Sequence, residues 1–164
     1  MMGPQRPNSI RLRIIMTSAS RASGPVHGYR DLIVWQDSMD LVVAIYRTTA
    51  TFPKDERYSL VNQLRRAAVS VPSNIAEGQG RSRTGDYLRH LSVAVGSLSE
   101  LETQILIARR LEYITEDNQD RLLDSCTAIG KMLGGLIRAL RRRLSLNQEA
   151  RAGRRDPAAP APNS

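Results

Sequence analysis

The residues with the greatest capacity for chemistry lie close together in "QLRRAAVSVPSNIAEGQGR" (63–81): Arg65 and Arg66, then Ser70, Ser73, Asn74, Glu77 and Arg81. On a helix Ser70 and Asn74 share one face, Ser73 and Glu77 share another, and Arg66 lies one turn before Ser70. Hydroxyls and an amide around one carboxylate can form a hydrogen-bonded network or a surface for a polar ligand. Dividing acid and base roles takes a second titrating group, and the sequence sets none beside Glu77. The first reading of Ser70, Ser73, Asn74 and Glu77 is therefore a structural polar cluster joining the end of a helix to the next loop. A binding surface and, last, catalysis by Glu77 are the alternatives. A carboxylate near a helix C-terminus meets the negative end of the helix dipole, so Glu77 calls for a cation: Arg81, Arg83 or an arginine from another helix.

Other chemistries find little support. The chain has two histidines, His27 and His90, and the residue three before His90 is Tyr87. The Glu-x-x-His pairs of a metal-binding bundle are thus missing. Cys126 is the single cysteine, which excludes an internal disulfide and a cysteine-based zinc site and fits a reducing cytoplasm. Its place in a helical apolar stripe marks it as a small buried hydrophobe rather than a nucleophile. Neither a metal, a cofactor nor a catalytic residue is assigned.

The elements that must position these residues are helical. Aromatic residues make up 4% of 164 residues, so the core must come from Leu, Ile, Val, Ala and Met, a composition that favours helices over strands. One domain is expected from the length. Four segments show helical spacing. The first runs from about Leu32 to Thr51 behind an Asp31 cap, with Trp35, Met39, Val42 and Tyr46 as its stripe, and ends at Phe52-Pro53. The second runs from about Ser59 to Glu77, with Leu64, Ala68, Val71 and Ile75 inward, and Gly78 and Gly80 stop it. Pro72 lies inside it and deprives the Ala68 carbonyl of its donor, with Ser73 and Asn74 as compensating side chains.

The third, behind a Thr84 cap, places Tyr87, Leu91, Ala94, Leu98, Leu101, Ile105 and Ala108 in heptad rhythm. The fourth follows Thr115 and the acidic "EDNQD", carries Leu122, Cys126, Ile129, Leu133, Leu136 and Leu140, and closes in "RALRRRL". Long helices joined by short loops give an all-α, antiparallel up-down-up-down four-helix bundle, and the heptad period gives it a left-handed twist. The bundle is expected over residues 29–146, between disordered flanks at 1–28 and 147–164. The first flank also resembles a transit peptide in composition, or an over-extended start preceding Met16.

Apolar residues exceed what one bundle needs. Leu88, Val95 and Leu106 lie on one flank of the third helix and Val93 and Ile107 on the other, while Val34, Leu41, Val43 and Ile45 supplement the stripe of the first. A surface of that kind on a soluble monomer is unusual, and a homo-oligomer is expected.

The net charge of +8 is unevenly distributed. Residues 28–140 carry 14 Lys and Arg and 14 Asp and Glu; the excess lies in four arginines before residue 28 and in six after residue 140, opposed there by Glu149 and Asp156. Phosphate contacts need no base-reading motif. The candidates for nucleic-acid contact are Arg65, Arg66, Arg81, Arg83, Arg109 and Arg110, helped by Arg141, Arg142 and Arg143. No apolar run approaches the roughly 18 residues of a membrane span, and "IRLRIIM" is too short and too charged for a signal-peptide core.

Over residues 29–140, "YRDLIVWQDSMDLVVAIYRTT", "RRAAVSVPSNIAEGQGR", "GSLSELETQ" and "IGKMLGGLIRAL" resemble a bacterial four-helix-bundle family first noticed as reading frames in intervening sequences of large-subunit ribosomal RNA genes. The chain is also similar to the accessory variability determinant proteins of diversity-generating retroelements, basic pentameric bundles that bind nucleic acid and a reverse transcriptase; its neutral folded region departs from them. The resemblance implies a bundle assembling as a homopentamer, in a family for which no enzymatic activity is established, and the expected location is the cytoplasm. The function expected is a non-catalytic RNA- or DNA-associated accessory or scaffold, and the alternative is a protein-binding adaptor ring with no nucleic-acid role.

Overall fold

The structure, a computed structural model, describes residues 28–152. The expected disorder at 1–27 and 153–164 lies outside the described residues. Four helices make up the fold: α1 (Ile33–Thr49), α2 (Leu60–Gln79), α3 (Thr84–Arg110) and α4 (Glu116–Ala152), with 3-10 turns at Tyr29–Asp31 and Lys54–Tyr58. No strand occurs among the described residues. α1 packs against α2 and α4, and α3 likewise packs against α2 and α4. The core between them is aliphatic, centred on Ile45, Leu64, Ile75, Leu91, Leu101, Ile105, Ile129 and Leu133.

Helices α2, α3 and α4 bury the expected stripes between Leu64 and Leu133 except at Tyr87, which like Leu136 and Leu140 is only partly covered. In α1 the buried face is rotated by one residue. Val34, Ser38, Leu41, Ile45 and Thr49 face inward, whereas Met39 and Tyr46, expected in the core, are 39% and 44% exposed. Two hydroxyls disguise the true stripe. Ser38 Oγ donates to the Val34 carbonyl (2.6 Å) and Thr49 Oγ1 to the Ile45 carbonyl (2.8 Å), so each is satisfied inside its own helix and buries at little cost.

The ends of the helices also differ from expectation. Asp31 closes the first 3-10 turn by accepting from the Gly28 amide (3.2 Å), which leaves Leu32 at the N-cap of α1. Thr84 is the first residue of α3 rather than its cap; Arg83 occupies the cap position with no side-chain bond, and Asp86 supplies the favourable carboxylate of the first turn. Thr115 does cap α4, its Oγ1 accepting from the Asn118 amide (3.3 Å). Neither glycine ends α2 in a left-handed conformation: the helix runs through Gly78 to Gln79, and Gly80 has φ −74°. Among the described residues the left-handed one is Glu112 (φ 60°). It ends α3 in a Schellman arrangement, with the Tyr113 amide donating to the Ala108 carbonyl (2.9 Å) and the Glu112 amide to that of Arg109 (3.0 Å).

α4 continues to Ala152, past the expected domain edge at 146. After Asn147, "QEARA" is made of helix formers, and the segment contains no proline, so residues 147–152 extend the helix instead of opening the tail. α3 has the length and the mean hydropathy, 1.2, of a membrane-crossing helix. Its apolar stripe, however, is the one turned onto α2 and α4, as befits a core helix.

Candidate nucleic-acid interface and the seam beside it

The polar residues of α2 fall into two groups that meet at Ser70. On the side facing α3 they form a connected seam. Ser70 Oγ and Ser97 Oγ lie 2.8 Å apart. Asn74 Nδ2 donates to the Ser70 carbonyl (2.9 Å) and lies 3.1 Å from Ser70 Oγ. With its nitrogen so engaged, Asn74 turns Oδ1 to His90 Nδ1 (3.2 Å), which therefore donates. His90 Nε2 in turn lies 3.8 Å from Glu77 Oε1, and Arg81 pairs with Glu77 one turn on. Of the candidate cations, Arg81 is thus the one that answers Glu77. Ser73 Oγ donates to the Val69 carbonyl (2.8 Å). Ser73 and Asn74 therefore bond the carbonyls of Val69 and Ser70 and not that of Ala68, which they were expected to compensate, and Pro72 is buried within the helix.

The seam is also tight. A Cβ on Gly78 would lie 2.6 Å from Tyr87 Cδ2 and 2.8 Å from His90 Cβ. Glycine is needed here for close helix approach, not for helix termination. Burial pushes the Tyr87 phenol above its ordinary value. As α2 advances from Ser70 through Asn74 to Gly78, its partners on α3 recede from Ser97 through His90 to Tyr87.

Nearer its start α2 lines a half-open cleft of about 810 Å³, which Ser70 and Ser97 of the seam also border. Tyr46 of α1, Asn62, Gln63, Arg65 and Arg66 of α2, and Glu100 of α3 face into it. Arg65 is held in place: Nε donates to Thr49 Oγ1 (2.9 Å) and the guanidinium carbon lies 4.6 Å from the centre of the Tyr46 ring. Glu100 Oε1 accepts from Gln104 Nε2 (2.9 Å). Gln104 itself is buried, and its own Oε1 meets no donor.

The nine candidate arginines do not form one patch. Arg65 and Arg66 border the cleft, Arg81 and Arg83 belong to the α2–α3 connection, Arg109 and Arg110 end α3, and Arg141, Arg142 and Arg143 are exposed on α4 beyond its last buried residue, Leu133. Arg81 is the one among them in an ion pair with a described carboxylate. Cys126 is fully buried, and burial, with Glu102 nearby, pushes its thiol up to about 12, far from the thiolate a nucleophile needs. Among the described residues no group of three or more His, Cys, Asp or Glu is placed to hold a metal ion.

Residues 30–135 match the protein family described as 23S rRNA-intervening sequence protein. The chain belongs to that family. A solved structure of a protein of unknown function from the S23 ribosomal protein family of Bacteroides thetaiotaomicron is similar in fold, with a TM-score of 0.60 and 23% identity, covering 65% of this chain and 96% of that one. No curated protein matches the chain in sequence.

In this member of the 23S rRNA-intervening sequence protein family, the sequence reading missed Tyr46, Asn62, Gln63 and Glu100 as cleft residues. Tyr46 had been placed in the core stripe. A signal for the other two on α2 was present: Asn62, Gln63 and Arg66 all lie off the face defined by Leu64, Ala68, Val71 and Ile75. Glu100 and Tyr46 come from other helices, and only packing brings them to that face.

Proposed function

We propose that the protein is a non-catalytic, cytoplasmic, homo-oligomeric accessory or scaffold that associates with RNA through its arginines. The observation that carries this reading is the basic end of α4, where Arg138, Arg141, Arg142 and Arg143 are exposed and face no carboxylate among the described residues. Membership of a family named for ribosomal RNA intervening sequences favours RNA as the polyanion. Each phosphate neutralised releases counterions, so affinity should fall steeply with salt. Replacing Arg141, Arg142 and Arg143 together by Gln should reduce the slope of log K against log salt by about 2. A response flat from about 50 to 200 mM salt overturns the reading.

Self-association is supported by apolar side chains left at the surface, among them Met39 and Val43 on α1 and Val93 and Ile107 on α3. The resemblance to pentameric bundles suggests a ring of five. A strict monomer at micromolar concentration in sedimentation would remove that part. The same apolar surface favours the second reading, an adaptor ring that docks a partner protein. Assembly without RNA binding at low salt is its signature.

A further inference from the structure

We infer that the cleft between α1, α2 and α3 is a site for an unpaired RNA nucleotide, its base added to the Tyr46–Arg65 stack and its pairing edge presented to Glu100. The inference rests on the RNA-associated reading but names a different surface from the basic end of α4. Four features of the cleft support it.

The first is pre-organisation. Arg65 is already oriented by Thr49 Oγ1 and by the Tyr46 ring, so little side-chain freedom remains to be lost on binding. Its terminal nitrogens donate to no other described group, which leaves a planar fork open towards the cleft. The second is the platform itself: single-stranded RNA is recognised by bases stacked on aromatic rings or guanidinium planes, and Tyr46 supplies such a ring, 44% exposed. The third is size, since about 810 Å³ falls in the roughly 300–1,000 Å³ range of small-ligand sites.

The fourth is the mixture of charges. Arg66, exposed beside Arg65, provides a phosphate contact, and the amides of Asn62 and Gln63 can both donate and accept. Glu100 is an acceptor only. A carboxylate in the cleft repels an acidic peptide but accepts from the amino group of a base, as acidic side chains do from cytosine N4. Glu100 Oε1 already accepts from Gln104, which orients the group and leaves Oε2 for the ligand. Cytosine, with an amino group where uracil has a carbonyl, is therefore favoured over uracil at equal ring size.

The test uses the full chain and fluorescence anisotropy with short labelled oligo(C), oligo(U) and an RNA duplex. Oligo(C) should bind more tightly than oligo(U) or the duplex. Tyr46→Leu should weaken oligo(C) binding about 10-fold with an unchanged salt slope, because it removes stacking and no charge, whereas Tyr46→Phe should bind like the parent. Glu100→Gln should bring oligo(C) towards the affinity of oligo(U). Arg65→Lys, which keeps the charge and loses the fork, should also weaken oligo(C); it provides an independent readout if Tyr46→Leu is poorly folded by circular dichroism. Equal affinity for oligo(C), oligo(U) and duplex overturns the site, as does displacement of oligo(C) by oligo-glutamate at matched charge. RNA binding that survives Tyr46→Leu but is lost on replacing Arg141, Arg142 and Arg143 removes this site and leaves the accessory reading intact. If no RNA binds at low salt, both are overturned.

Discussion

The polar residues of α2 behave in opposite ways on either side of Ser70, which belongs both to the seam and to the cleft border. Towards α3, Ser70, Asn74 and Glu77 each find a partner in the protein, and the chain of contacts runs from Ser97 to Arg81. Towards the cleft, Arg65 is oriented through Nε, while its terminal nitrogens and the side chains of Arg66, Asn62 and Gln63 bond no other group among the described residues. Side chains of one helix, a few residues apart, thus serve internal cohesion after Ser70 and remain open to a ligand before it. The stretch richest in motif character, "SVPSNIAEGQGR", belongs almost wholly to the first category. Its polar residues hold α2 to α3, and chemistry is better sought on the plainer face.

The sharpest way to break this comparison is to widen the seam. Gly78→Ala puts a methyl group 2.6 Å from the Tyr87 ring and 2.8 Å from His90 Cβ, and Tyr87 and His90 are both partly enclosed by the bundle. Overpacking of this kind costs about 1–3 kcal/mol. Since alanine in a helix otherwise gains about 1 kcal/mol over glycine, a net loss marks real steric conflict. We expect a net destabilisation of up to about 2 kcal/mol in urea denaturation. A stabilised variant would show that the helices separate freely here and that the seam is not the rigid side.

A smaller effect separates the two sides directly. Asn74→Ala removes the donor to the Ser70 carbonyl and the acceptor for His90 Nδ1, and should cost about 1 kcal/mol for a half-buried bonded amide. Asn62→Ala, exposed on the cleft side, should change stability by less than about 0.5 kcal/mol. Equal losses at the two asparagines would erase the distinction between bonded and open sides.

Much of the fold was legible in the sequence because helix periodicity depends on local spacing, and α2 and α3 bury the residues that spacing selects. The error in α1 has a definite cause. Its sequence carries two apolar stripes, and the buried one contains Ser38 and Thr49, whose hydroxyls bond carbonyls of their own helix. Hydropathy counts such residues as polar, although their polarity is already satisfied. Moving the stripe by one residue also moved Tyr46 from core to surface, so the aromatic platform of the cleft was hidden by the same error. The polar cluster of α2 was visible as residue types at helical spacing, but His90 and Ser97, its partners on α3, were not. Tertiary contacts between residues 16 and 27 apart leave no trace in local periodicity. The glycine at 78 was legible as special and wrongly explained, since close approach and helix termination both select glycine.

The smallest effect tests whether an answered polar group matters at the surface as it does in the seam. Glu56, in the turn before α2, accepts from Ser59, from the Tyr113 hydroxyl (3.0 Å) and from the Leu60 amide (3.3 Å). These bonds, that of Ser59 first, hold its carboxyl below the ordinary value, and the bond to Glu56 holds the Tyr113 phenol above its own. A depressed carboxyl contributes stability that is present above the ordinary carboxylate range and is lost as pH falls through the lowered value. A raised phenol contributes stability present below the ordinary phenol value and lost as pH rises through the raised one. Tyr113→Phe keeps the ring packed on Phe52, at 5.3 Å between centroids, and removes only the hydroxyl. The stability difference between parent and variant should therefore be largest near neutral pH and shrink on both the acid and the alkaline side. Because both groups are open to water, solvent screening should keep that difference below the loss at Asn74. Thermal denaturation followed across pH measures it. A difference independent of pH would mean that Tyr113 acts through packing alone, leaving charge-assisted bonding important only in the seam.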